Sequence, residues 1–266
     1  MKTYASALYE GTFSVGLDQK FVRIGRDDKP AKGTLKLSLN PFLIRTTDRN
    51  YLFDCGIGEF GEDTGPDTIR ENLETHGLTE YDITDIFLSH LHFDHIGGLA
   101  HRENGYWELT FPDAKVWVSR KGWNKLKANE DSYEEDQFDF ISFIDARADL
   151  NFLHDEHQPY ADMTVRKIGG HTEFHQLLLF NDGEHKYMQA GDVIGTKGSV
   201  NRKYAAKYDF EPKLSQRNRA ELTELAYKKG YVILAYHDYQ HPIFKLTDYK
   251  HKTGYHTENI ESYVPA

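Results

Sequence analysis

The chain has 266 residues, 39% hydrophobic and 28% charged, which supplies a packed core and excludes global disorder. Its formal net charge is -10, an acidic balance that argues against non-specific binding to nucleic acid or to an anionic membrane surface. A single cysteine, Cys55, excludes an intrachain disulfide framework, while 17 Tyr and 16 Phe supply aromatic material for a core or a pocket.

Residues 1–20 show no basic segment followed by an apolar run, and no stretch is long enough to span a bilayer, so a cytoplasmic protein is the expectation. No Pro/Ser-rich linker divides the chain, and residues 1–266 read as one domain. Strand-type runs occupy residues 36–39, 42–45 and 51–53, with the polar stretch 46–50 marking a hairpin between the last two. Residues 67–76 read as a helix, with Ile69 and Leu73 four apart and Gly77 as its stop. Residues 85–89 read as a short buried strand that delivers His90, and 96–99 as the start of a helix or a tight turn. A strand at 115–119 and a helix at 122–129 follow. The acidic, aromatic run 130–139 reads as a solvated helix or loop, and the aromatics of 131–143 permit a homodimer. Residues 176–180 and 185–189 form a hairpin around the turn Asn181-Asp182-Gly183-Glu184. Residues 215–229 are helical in composition with Gly230 as the stop, and 231–236 form an apolar strand ending at His237.

Four polar clusters each follow such a strand-type run. They are Ser89-His90-Leu91-His92-Phe93-Asp94-His95, Gly170-His171-Thr172, Ala190-Gly191-Asp192 and Tyr236-His237-Asp238. Loops at strand ends are where rigid scaffolds carry functional groups. Imidazole nitrogen and carboxylate oxygen are the donors that borderline metals such as zinc take when thiolate is absent. Five histidines and two aspartates exceed the needs of one tetrahedral ion and about suffice for two ions sharing a bridging group. His90 and His92, alternate residues of an extended segment, point the same way and can converge on one ion. Asp94 and His95 lie past the strand and can face a neighbouring ion. The hairpin at 176–189 folds His171 and Asp192 to one end of a sheet.

These clusters, together with Phe53-Asp54-Cys55-Gly56 and Gly97-Gly98, resemble the metallo-β-lactamase superfamily of metal-dependent hydrolases over about residues 37–241. Lys207-Tyr208-Asp209-Phe210, a charged helix and Tyr236-His237 make the chain most similar to the branch of acyl-homoserine lactonases and methyl parathion hydrolase-like enzymes. The resemblance implies an α/β fold, an αβ/βα four-layer sandwich of two mixed β-sheets with helices outside. It implies two divalent metal ions. His90, His92 and His171 hold one, Asp94, His95 and His237 hold the other, and Asp192 bridges both. Zinc suits these donors, and manganese, iron and cobalt fit the same set. A hydroxide between the ions attacks a carbonyl or phosphoryl centre, and Asp94 is the catalytic residue that orients it and carries its proton.

Asp54 reads either as a hydrogen-bond acceptor beneath a ligand histidine or as a turn residue before Gly56. Cys55 reads as a small buried residue at a strand end. The family often has Gly-His-Thr-Pro-Gly-His where this chain has residues 170–175, so Glu173 and Phe174 are expected to shape the pocket and His175 to be structural. Many homoserine lactonases carry a Tyr three residues after the bridging Asp. Here that position is Gly195, which leaves Tyr204, Tyr208 and Tyr236 as substitutes. The other histidines, 76, 101, 154, 157, 185, 241, 251 and 256, read as surface or structural, with His241 the one near a motif.

The expected substrate is a small ester, with a lactone first, because the aromatic-rich stretch 196–210 suits an acyl or aryl part. A phosphoester or phosphotriester is the alternative, with Arg202, Lys203 and Lys207 as a modest basic cluster. β-Lactam hydrolysis and a non-catalytic metal-binding module are further alternatives. A di-iron redox role is disfavoured because His92 is not replaced by a carboxylate. No Gly-x-Ser-x-Gly nucleophile motif or phosphate-cradling glycine loop is present.

Overall fold

A computed structural model describes residues 3–129 and 132–263. One six-stranded sheet has the order β1 (Tyr4–Ala7), β5 (Phe42–Arg45), β6 (Asn50–Phe53), β7 (Asp85–Phe87), β10 (Lys115–Ser119) and β11 (Asp149–Leu153). Its β1, β5 and β6 run antiparallel, and β6 through β11 run parallel. A second sheet of seven strands follows chain order: β12 (Glu156–Tyr160), β13 (Met163–Lys167), β14 (Gln176–Asn181), β15 (Lys186–Gln189), β16 (Val232–Leu234), β17 (Ile243–Lys250) and β18 (Gly254–Asn259). A small sheet joins β2 (Gly11–Val15), β3 (Phe21–Ile24) and β4 (Leu35–Leu39), and β8 (Ala100–Glu103) pairs with β9 (Tyr106–Leu109). The helices are α1 (Pro66–Glu74), α2 (Phe93–Ile96), α3 (Arg120–Ala128), α4 (Glu135–Arg147) and α5 (Pro212–Lys229).

The two-residue period of the strands sets the layers. Leu43 of β5 and Leu52 of β6 face a core that includes Ile69 and Leu73 of α1, Trp123 of α3 and Phe140 of α4. Their neighbours Phe42, Ile44, Tyr51 and Phe53 face the other way, into a core shared with Met163, Val165, Leu178 and Phe180 of the second sheet. Leu177 and Met188 then turn to Leu222 and Ala226 of α5. Three cores separate helices, sheet, sheet and helix, which is the expected αβ/βα sandwich of mixed sheets.

Several boundaries differ from the sequence reading for local reasons. The run at 130–139 is partly α4, which continues to Arg147 because Phe140, Ile141 and Ile144 are buried, while its first turn is solvated. Residues 130 and 131 of that reading lie outside the described residues. The helix expected from 215 begins earlier at Pro212, where a first-turn proline costs no hydrogen bond, and ends at Gly230 in the left-handed conformation, φ 72°. The strand expected at 85–89 leaves the ladder after Phe87, and that at 231–236 after Leu234.

Those early exits free the loops for the site. The loops after β7, β13, β15 and β16 carry His90, His171, Asp192 and His237. The first residue of β14 ties the two sheets together here: Gln176 donates through its backbone N–H to Ser89 O (2.7 Å) and through Nε2 to Leu88 O (2.8 Å). The turn after α2 lies directly on the loop after β6, with Cys55 N donating to His95 O (2.9 Å) and Gly98 N to Gly56 O (3.1 Å). A Cβ at Gly98 would overlap the carbonyl oxygen of Cys55. Gly98→Ala should therefore lower the unfolding free energy by about 3 kcal/mol, the upper range for overpacking. Urea denaturation checks this, and a wild-type midpoint would show that the loops separate without cost.

Candidate metal centre

The structure brings all seven sequence-selected donors together in two adjoining groups. His90, His92, His171 and Asp192 form one, and Asp94, His95 and His237 form the other, each group having its donor atoms within 4.8 Å of one another. In the first group His92 Nδ1 lies 3.0 Å from His90 Nε2 and 3.2 Å from His171 Nε2. In the second, Asp94 Oδ2 lies 3.5 Å from His95 Nε2 and 3.6 Å from His237 Nε2. Asp192 faces both groups. Its Oδ2 is 3.2 Å from His171 Nε2, and its Oδ1 is 3.2 Å from His95 Nε2 and 3.0 Å from His237 Nε2.

The outer ring nitrogens explain why these atoms face inward. His95 Nδ1 meets Asp54 Oδ2 at 2.8 Å, and His171 Nδ1 meets Asp209 Oδ1 at 2.8 Å. His237 Nδ1 donates to Ser38 O (3.0 Å), and His90 Nδ1 is paired with the Ser89 hydroxyl (3.1 Å). A partner on one ring nitrogen orients the ring and leaves the other nitrogen available as a donor to metal. Asp54 is the acceptor of the two readings. Besides His95 it accepts from Ser89 N, Ser89 Oγ and Gln189 Nε2, each at 2.7 Å, while occupying the left-handed region with φ 54°. Tyr236 closes the floor: its ring stacks on His95 at 4.1 Å and its hydroxyl donates to Asp94 O at 2.7 Å.

Charge and burial make this a site for cations. His95 Nε2 and His237 Nε2 are buried beside Asp192 Oδ1 at 3.2 and 3.0 Å, yet none of the three atoms has a partner at hydrogen-bond geometry among the described residues. Burial, reinforced by the His95 and His92 rings, pushes the His90 pKa well below its ordinary value. Burial lowers His95 as well, but Asp94, Asp54 and Asp192 outweigh it and raise that pKa well above normal. Burial raises Asp192, and the His237, His171 and His95 rings overcome it and hold the carboxyl well below its usual range. The donor set suits divalent ions: nitrogen and oxygen atoms, buried except for the exposed His92 and the half-buried Asp192, with negative carboxylates demanding compensation.

The metallo-beta-lactamase superfamily profile matches residues 36–237. The chain belongs to the metallo-beta-lactamase superfamily. It is accordingly a metal-dependent hydrolase by family, and the superfamily binds divalent metals, usually zinc. No curated protein matches the chain by sequence. Among solved structures, a probable metal-dependent hydrolase from Staphylococcus aureus is 20% identical, with a TM-score of 0.77 over 99% of this chain and 100% of that one. AidC, a dizinc quorum-quenching lactonase in complex with a product, is 20% identical, with a TM-score of 0.74 over 99% and 96%. A mutant of AiiA from B. thuringiensis with N-decanoyl-L-homoserine at its active site is 20% identical, with a TM-score of 0.63 over 89% and 93%. At these identities the likeness is one of fold.

A cavity of about 360 Å³ opens beside the first donor group of this superfamily member. His90, His92 and His171 line it, whereas Asp94, His95 and His237 do not. Its far wall is apolar, from Leu91, Val118, Leu126, Tyr133, Phe174 and Phe210. Glu173 and Phe174 both line it, as the altered 170–175 segment suggested, and Glu173 holds Lys125 across the cavity at 2.6 Å. Of the three candidate tyrosines only Tyr208 lines the cavity, its ring 6.2 Å from that of His171. Tyr236 is committed to Asp94 O, and Tyr204 stacks under the Arg219 guanidinium at 3.9 Å. Gly195 packs on the backbone of the site, its carbonyl accepting from His237 N at 2.8 Å.

Other sequence readings resolve as follows. His175 is structural, with Nε2 bonded to Ala190 O at 3.0 Å. Cys55 is buried and donates to His95 O at 3.1 Å. Arg202, Lys203 and Lys207 are exposed and do not line the cavity. His241 does not line it either, and its N–H is held by Asp238 Oδ1 at 2.7 Å. No helix among the described residues is long and apolar enough to cross a membrane.

Sequence reasoning missed Gln189 and Glu10, which carry no motif signal because each acts through a long-range contact, and it read Asp209 only as part of the Lys207-Tyr208-Asp209-Phe210 run, with no role of its own. Glu10 is buried beneath the loop after β6, where its Oε2 accepts from Ile57 N at 3.1 Å. Burial pushes its pKa up from 4.5 to about 8, against the opposing pull of the Ile57 N–H and Arg23. The folded protein thus keeps a proton that the unfolded chain releases between those two values. Stability is highest below the unfolded pKa and declines as pH rises through that window, by about 1.4 kcal/mol per unit of pH at most. Glu10→Gln should remove this slope, so that its stability relative to wild type improves from pH 5 to pH 9. Urea midpoints at several pH values test it, and parallel profiles for the two proteins would refute the assignment.

Proposed function

We propose that the chain is a dinuclear metal-dependent hydrolase of a small ester, with a lactone as the leading substrate class. The observation that carries this reading is the pair of adjoining donor groups joined by Asp192, opening on one side to an apolar cavity. His90, His92 and His171 would hold one ion, Asp94, His95 and His237 the other, with Asp192 shared. Zinc is the first ion to test. When bound, two divalent ions supply a hydroxide nucleophile at neutral pH and Lewis-acid polarisation of the substrate oxygen.

The chain's own residues do the rest. The apolar wall takes up an acyl or aryl part and excludes water from it. Asp94 sits at the junction of the two groups, where its carboxylate can accept a proton from the attacking water and pass it to the departing alkoxide oxygen. Tyr208, a lining residue, would supply the hydrogen-bond donor to the ester carbonyl. The structural neighbours named above as a lactonase and as holding N-decanoyl-L-homoserine are consistent with a lactone. Arg202, Lys203 and Lys207 do not line the cavity, and the Lys125 that does is paired with Glu173 at 2.6 Å, so among the described lining residues no unpaired Lys or Arg favours a phosphoester.

The test is turnover of an acyl-homoserine lactone beside an aryl phosphotriester on protein of measured metal content. The expected result is two ions per chain and a lactone kcat/KM above about 10⁴ M⁻¹s⁻¹, abolished by chelation and restored by zinc. Two bound ions with an inert lactone would overturn the substrate class. Tyr208→Phe should lower kcat/KM by about 10²-fold at unchanged metal content, the cost of one donor to a developing oxyanion. An unchanged value would remove Tyr208 from the reaction.

A further inference from the structure

Each donor group contains one histidine backed by a carboxylate: His95 by Asp54 and His171 by Asp209. Asp54 lies between β6 and Gly56, and Asp209 lies in the Lys207-Tyr208-Asp209-Phe210 run, in the irregular stretch before α5. Asp209 is buried, its Oδ1 meets His171 Nδ1 at 2.8 Å, and its Oδ2 has no hydrogen-bond partner among the described residues. The same stretch is bound to the His171 loop by its backbone. Phe210 N donates to His171 O at 3.0 Å, and Glu211 N donates to Gly170 O at 2.8 Å. Gly170, at φ 99°, allows this approach, because a Cβ there would meet the Cα of Ser215 at 2.7 Å. On either side of Asp209, Tyr208 and Phe210 line the cavity.

We propose that Asp209 is a positioning residue that holds His171 with Nε2 facing Asp192 and couples ion binding at the first donor group to ordering of the cavity wall carried by Tyr208 and Phe210. The inference rests on the metal reading above. A carboxylate accepting from Nδ1–H selects the tautomer whose Nε2 lone pair is free, and loss of such a partner typically costs about 10–100-fold in metal affinity. The three contacts between residues 209–211 and 170–171 make the wall and the histidine one mechanical unit. Whatever fixes one of them favours the other, and the coupling is reciprocal.

The experiment compares wild type with Asp209→Asn and Asp209→Ala. Zinc stoichiometry and affinity are measured by competition with a chromophoric chelator, on protein whose fold is checked by circular dichroism. Amide hydrogen exchange at Phe210 and Glu211 is followed with and without zinc. In the wild type, two zinc ions should bind and slow exchange at both amides. In the variants, one of the two affinities should fall by about 10–100-fold with the other unchanged, and zinc should no longer protect those amides. Wild-type affinities for both ions in Asp209→Asn would overturn the proposal, as would exchange at Phe210 and Glu211 that ignores zinc in the wild type. The second measurement needs no variant, so it decides the coupling even if the substitutions do not fold. A wild type that binds no zinc would instead sink the metal reading itself.

Discussion

Buried negative charge is the constraint on which the rest of the site depends. Asp54 and Asp94 are buried and Asp192 is half-buried among five imidazoles, and carboxylates in such a place must be compensated by hydrogen bonds or by positive charge. Asp54 is satisfied by four donors. Asp94 and Asp192 instead pull on the histidines, raising the pKa of His95 and His237 against the burial that lowers them. Divalent ions answer the same demand with more charge in less space, which is why a donor cluster of this composition suits metal better than a proton network.

The scaffold that tolerates this charge is built to keep it in one place. Four strand ends from two sheets deliver the donors, and the sheets are tied at that edge by Gln176 on the loop of Ser89. Three dry cores lie on the layers behind. The loops can therefore bear polar side chains without loosening the fold, since the apolar burial that stabilises it lies elsewhere.

The two donor groups are not equivalent. Only the first faces the cavity, and its His171 is held by a residue from the same irregular stretch that forms the cavity wall. The second is enclosed by Tyr236, Asp54 and the backbone of Ser38. A substrate approaching through the cavity meets the first group first, so the stretch 202–211 bears on both metal geometry and pocket shape.

Much of this was legible in the chain itself. Regular spacing marks His90 and His92 as candidate donors, because residues two apart in an extended segment share a side, and turn signals such as Asn181-Asp182-Gly183-Glu184 fold distant segments back by local chemistry. The family resemblance rests on the same local motifs, and the layered α/β fold was legible only as what that resemblance implies. The strands β1–β3, β8, β9, β11–β13, β17 and β18 were not legible, since they are short or polar and owe their form to neighbours in a ladder. Glu10 and Gln189 were silent, and the role of Asp209 within its run was illegible, for a related reason. A carboxylate's partner 38 positions away, as in Asp209 with His171, leaves no periodicity to read. The choice of Tyr208 over Tyr204 and Tyr236 at the cavity was likewise decided only when Arg219 and Asp94 claimed the other two rings. The sequence by itself determined which atoms could bind metal, because donor chemistry is a property of residue type and local spacing. Only the tertiary structure decided which of them face the cavity and what holds them there, because orientation depends on contacts between segments far apart in the chain.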